Sequence, residues 1–123
     1  MKKILLAIVL SFFCSIGYSQ DVIDPVLQNV LMEKDNEMIE INIIFKSQFD
    51  IEKLKARGEN ISDKKIRRNV LIDELKLFSE ERQHDVLSVL NAEKNSSRVT
   101  DIKCHWLSNA ISCVAHRDVI YLL

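Results

Sequence analysis

From Lys64 to about Ala92 the sequence contains neither glycine nor proline. Within that stretch Ile66, Val70, Leu71, Leu75, Phe78, Val86, Val89 and Leu90 recur at helical spacing, with charges between them. Three to four apolar positions per two turns trace one stripe on an α-helix. The pattern predicts a single long helix opened by Ser62 or Asp63. An interruption is expected near Gln83 to Asp85, where helix formers thin out. A helix of this length can cross a whole small sheet diagonally, so its neighbours must supply the strands.

They do. Glu37 to Lys46 alternates, with Ile39, Ile41, Ile43 and Phe45 on one side and Glu40, Asn42, Ile44 and Lys46 on the other. Residues 98 to 116 predict a hairpin, with arms Val99 to Trp106 and Ala110 to Ala115 and a turn near Leu107-Ser108-Asn109. Asp24-Pro25 opens a short amphipathic helix over residues 25 to 34, as N-cap and first helical residue. Asp50 caps another over Ile51 to Arg57, which Gly58 is expected to end. Arg117 begins a last helical pattern that runs to Leu123. Strand, long helix, strand, strand and helix start predict an α+β fold. One more strand makes it a ferredoxin-like split βαβ sandwich: an antiparallel sheet with the long helix on one face. The chain therefore reads as C-terminally incomplete, stopping before that strand.

The first 19 residues follow a different logic. Lys2 and Lys3 precede an apolar run from Ile4 to Ile16, broken only by Ser11 and Ser15. Gly17-Tyr18-Ser19 then places small residues three and one positions before Gln20. That is the pattern of a secretory signal peptide, cut between Ser19 and Gln20. The run is shorter than the roughly 18 to 20 residues a spanning helix needs, so no stable membrane anchor is expected. The expected product is secreted and soluble.

Removal of the signal leaves 104 residues, one small domain, with 15 basic and 18 acidic side chains. That balance excludes the clustered basic surface of a nucleic-acid binder. Two glycines leave no room for a phosphate-binding loop. Cys104 and Cys113 are the only cysteines after Cys14 departs, which allows one disulfide and excludes a cysteine-dense scaffold.

Cys104, His105, Cys113 and His116 are the one cluster with metal-ligand chemistry. Their spacing matches no zinc knuckle, and alternation sends Cys104 and His105 to opposite faces, so no metal or cofactor is expected. With an even-numbered hairpin loop, Cys104 and Cys113 share a face with Ile102, Trp106, Ile111 and Ala115. They read either as small buried hydrophobes or as a cross-strand disulfide. The opposite face carries Lys103, His105, Ala110, Ser112 and Val114. Ile44, Ala110 and Val114, set among polar residues, give it the mixed character of a protein-binding surface. Lys64-Lys65 and Arg67-Arg68 read as a solvated helix face.

Several segments look familiar in order and spacing. They are Ile23-Asp24-Pro25-Val26-Leu27, the strand Ile39 to Phe45, Lys64-Lys65-Ile66-Arg67-Arg68 at the start of the long helix, and Ile102 to Ile111 with its Trp106, two residues, then Asn109-Ala110-Ile111. From about Ile23 to Leu123 the chain resembles the N-terminal propeptide of secreted subtilisin-like serine proteases, especially the bacillopeptidase F type. The resemblance implies a ferredoxin-like domain that assists folding of an adjoining protease domain and inhibits it until cleaved away. It implies a sheet that packs on the protease surface, so the partner is a subtilisin-like protease domain. The Asp, His and Ser catalytic regions lie outside this segment, so no catalytic residue is expected in it. A freestanding secreted inhibitor or binding module using the same sheet face is the alternative reading.

Overall fold

The computed structural model describes residues 23–34 and 37–123. The signal peptide and its Ser19–Gln20 cut lie outside the described residues. The chain divides into two compact units, the second being Lys34–Leu123. In the first, helix α1 spans Pro25–Glu33. Asp24 caps it as the sequence predicts: its Oδ1 accepts from the Val26 amide at 2.8 Å, and its carbonyl accepts from the Gln28 amide at 2.9 Å.

The second unit is α+β. It runs β1 (Met38–Ile44), α2 (Ile51–Glu59), α3 (Lys64–Asn95), β2 (Val99–His105), β3 (Ala110–His116) and α4 (Arg117–Ile120). The three strands form an antiparallel sheet in the order β1-β3-β2. β1 and β2 both run antiparallel to β3, so they are parallel to each other, with β3 between them. That is a split β-α-β arrangement with α2 and α3 in the connection.

Both α2 and α3 start where a carboxylate takes orphan amides. Asp50 Oδ1 accepts from Glu52 and Lys53, at 3.0 and 3.3 Å. Asp63 Oδ1 accepts from Lys65 and Ile66, at 2.8 and 2.9 Å, so Asp63 rather than Ser62 opens α3.

Two expectations about the helices change. Gly58 does not end α2. It lies inside the helix and is buried, because a side chain there would meet Arg67 and Leu71 of α3: an added Cβ falls 3.2 Å from Arg67 Cδ and 3.5 Å from Leu71 Cδ1. Likewise α3 is not interrupted at Gln83 to Asp85. Gln83 points inward and is only 1 % exposed, with its amide satisfied, so its polarity is no reason to break the helix.

The 32 residues of α3 make it about 48 Å long, whereas seven-residue strands span about 23 Å. The helix is thus about twice as long as the sheet is deep. Its N-terminal half packs on α2, its middle is bonded to the β2–β3 turn, and it also contacts β2. Ser96 caps α3, and Ser97 follows in the left-handed region with φ 58°, its amide bonded to the Lys94 carbonyl at 3.0 Å. Arg98 turns the chain into β2, with its side chain gripping Glu93 Oε2 at 2.7 Å.

Register fixes the core. Ile39 lies opposite Ala115 and Ala115 opposite Val99; Ile41 lies opposite Cys113; Ile43 and Cys104 both lie opposite Ile111. Opposed side chains share a face. Ile39, Ile41, Val99, Ile111, Cys113 and Ala115 are all buried there, with Leu90 of α3 and Val119 and Ile120 of α4 also buried. Full burial of a side chain such as Ile111 stabilises by about 1.5–3 kcal/mol.

Cys104 and Cys113 share the inner face, as the hairpin parity predicts, but both are free. The cross-strand disulfide does not form in this structure. β2 carries a bulge between Thr100 and Lys103, with Asp101 at φ 52°. Two residues, Asp101 and Ile102, therefore stand opposite Cys113, while Cys104 stands opposite Ile111. The cysteines are diagonal neighbours, which lie about 7–8 Å apart with their Cβ atoms somewhat closer, still beyond the roughly 3.8 Å between the Cβ atoms of a disulfide. Cys113 is buried and Cys104 exposed at the open end of the face.

Candidate partner-binding face and hairpin anchor

The outer face of the sheet is read from the same register. Its rungs are Met38 with His116; Glu40, Val114 and Thr100; Asn42, Ser112 and Lys103; and Ile44, Ala110 and His105. Every β1 and β2 member of these rungs is exposed. A face with one acid, one lysine, several neutral polar groups and a few apolar side chains has little net charge. It is chemically able to pack on another protein's surface.

The three residues expected to face a partner differ in what they offer. Ile44 is 73 % exposed at the end of β1. Val114 is half-buried on the central strand. Ala110 lies on the same rung as Ile44 but is only 9 % exposed, a small side chain on the central strand flanked by Ile44 and His105. Ala110 thus adds almost no contact area. Met38, 39 % exposed on the first rung, supplies apolar surface that the sequence reading did not assign.

Polar members of the face are held in place. His105 Nε2 and Ser112 Oγ are 2.9 Å apart across the β2–β3 diagonal. His116 Nδ1 accepts from the Asp118 amide at 3.4 Å and so caps α4. The four residues of the metal-type cluster are therefore scattered. His105 is on the outer face, Cys104 and Cys113 are on the inner one, and His116 is at a helix start. Among the described residues no group of three His, Cys, Asp or Glu side chains gathers as a metal site. No helix of the described residues is long and apolar enough to cross a membrane.

The hairpin tip is anchored from two sides by Asn109. Its φ of 42° places it in the left-handed region, which asparagine tolerates better than most residues. Its Nδ2 donates to the Ser47 carbonyl at 2.7 Å, and its own carbonyl accepts from the Phe45 amide at 3.3 Å. Gln83 Nε2 donates to Asn109 Oδ1 at 3.2 Å, to Ser79 Oγ at 2.6 Å and toward the Ala110 carbonyl at 3.4 Å. Among the described residues Ser79, Gln83 and Asn109 are the buried polar ones, and none has a buried side-chain N or O left unsatisfied. This network joins the middle of α3, the β2–β3 turn and the segment after β1. The turn itself spans residues 106–109, one residue longer than expected, so Trp106 sits in the turn and not at the end of β2.

A concavity lies beside the hairpin tip. Leu54 of α2, Leu71, Ile72 and Leu75 of α3, and Trp106 and Leu107 of the turn form its apolar floor. Lys64, Arg67 and Arg68 border it, and its volume is about 380 Å³. In sequence these cations read as a solvated helix face. Their spacing over Leu71, Ile72 and Leu75 carried the signal, but α2 and the hairpin tip had to be placed before it became a groove.

No family model, curated protein or solved structure matches the chain.

Proposed function

We propose that residues 20–123 are the propeptide of a secreted subtilisin-like serine endopeptidase, acting as intramolecular chaperone and temporary inhibitor of its protease domain. Residues 1–19 direct export and are removed between Ser19 and Gln20. In this reading the fold is the first three strands of a ferredoxin-like sandwich, and the outer edge of β1 is the place of its fourth strand. The catalytic work belongs to the protease domain.

One observation carries the reading: a sheet of order β1-β3-β2 with its inner face buried and its outer face uncharged on balance, with Ile44 and Met38 standing exposed on it. A domain this small leaves such a face open when another protein covers it.

Refolding tests the chaperone role. A denatured subtilisin protease domain, diluted into buffer with the purified chain, is expected to regain activity faster and to higher yield than alone. Recovery equal to that with an unrelated protein of the same size overturns the proposal.

A further inference from the structure

The groove beside the hairpin tip shares no residue with the outer sheet face and has no part in the proposed docking. Its composition is one-sided. Six apolar side chains make the floor, three cations make one border, and no carboxylate lines it. Lys64, Arg67 and Arg68 stand at i, i+3 and i+4, hence on one helix face. None of the three makes a salt bridge among the described residues. Asp63, the nearest acid in sequence, has its Oδ1 committed to the amides of Lys65 and Ile66.

Arg67 is held by more than its charge. Its stem lies over the bare Cα of Gly58, where a Cβ would come within 3.2 Å of Cδ. The missing side chain on α2 gives the arginine stem room against the helix, and Arg67 borders the groove. Trp106, the chain's single tryptophan, is fixed on the other side with Lys76 Nζ 5.8 Å from its ring centroid.

We propose that this groove binds a fatty-acid anion: the carboxylate on Lys64, Arg67 and Arg68, the acyl chain along Leu71, Leu75 and Trp106. The volume of about 380 Å³ falls within the roughly 300–1,000 Å³ of small-molecule sites. A neutral apolar ligand leaves three cations unused, and a bare phosphate leaves the floor uncovered. A single charged head on an apolar tail matches both.

Trp106 emission reads the occupancy directly. The purified chain is titrated below micelle concentration with dodecanoate, with dodecylamine as the same tail carrying the opposite charge, and with acetate as the head alone. Dodecanoate is expected to give a saturable blue shift, acetate no response, and dodecylamine binding weaker by about tenfold or more. The exposed pair Lys64→Glu/Arg68→Glu, and separately Arg67→Met, which keeps the stem and removes the charge, are each expected to weaken dodecanoate by about tenfold. Circular dichroism confirms that both variants fold. No saturable response to dodecanoate, equal binding of both tails, or charge variants that fold and bind normally overturns the proposal. Binding of an acidic leucine-rich peptide without binding of dodecanoate overturns it as well.

Discussion

Gln83 in the middle of α3 donates to Asn109 Oδ1 at the β2–β3 turn across 3.2 Å, beside a longer bond to the Ala110 carbonyl at 3.4 Å. It ties a helix face to a turn 26 residues later. Both residues are buried: losing Gln83 leaves Asn109 Oδ1 without its donor, and losing the Asn109 side chain removes its bonds to both Gln83 and the Ser47 carbonyl. An unsatisfied buried polar group costs about 1–3 kcal/mol. Asn109→Ala adds the strain of a Cβ-bearing residue without asparagine's tolerance at φ 42°. It is expected to lower unfolding free energy by about 2–4 kcal/mol in urea titration. Asn109→Gly relieves the backbone but not the bonds and should fall between wild type and alanine. A glycine variant as damaged as the alanine one assigns the whole effect to the side chain.

The two thiols should report the two ends of the inner face. Cys104 is exposed and is expected to react at once with an aromatic disulfide reagent, while Cys113 reacts only as the protein unfolds. Burial pushes the Cys113 thiol above its ordinary range. A raised folded value means that the neutral thiol's contribution is fully present below the unfolded thiol's value, about 8.5. It is lost as pH rises through the folded value. Stability measured from pH 7 to pH 10 should therefore decline more steeply for wild type than for Cys113→Ala.

Ser97 follows the end of α3 with φ 58°, where a side chain is penalised and glycine is not. Ser97→Gly is expected to raise the midpoint of thermal unfolding, corresponding to about 0.5–1 kcal/mol. A lower midpoint would mean that the serine side chain contributes more than the backbone strain removes.

Much of the fold was legible in the chain because it is written in local periodicity. The alternation of Ile39, Ile41 and Ile43 and the caps at Asp24 and Asp50 needed no tertiary information. Hairpin parity put Cys104 and Cys113 on one face correctly because Cys104 pairs on the turn side of the bulge; beyond the bulge the parity inverts, so that Val99 and not an even-numbered residue opposes Ala115. It could not place the bulge itself, which depends on Asp101 entering a left-handed conformation. Gln83 and Gly58 were misread for a shared reason. Gly58 looks like a helix end and the Gln83 to Asp85 stretch like a weak point, yet Gly58 and Gln83 are contact residues whose neighbours, Arg67 and Asn109, lie on another helix or far along the chain. Ala110 was placed on the right face, but how far flanking strands cover a small side chain is a tertiary property.

The open sheet face carries the functional proposal, and Ile44 is its most exposed apolar residue. Ile44→Glu should leave stability within about 0.5 kcal/mol of wild type, since a solvent-facing strand end supports no core. Its binding should not be spared. Calorimetric titration of the chain into an active-site-blocked subtilisin protease domain is the direct measurement. Saturable micromolar binding by the wild-type chain, abolished in Ile44→Glu and unaffected by Lys64→Glu/Arg68→Glu, is the expected result. No binding by the wild-type chain, or equal binding by a correctly folded Ile44→Glu variant, contradicts the assignment of this face to a subtilisin-like partner.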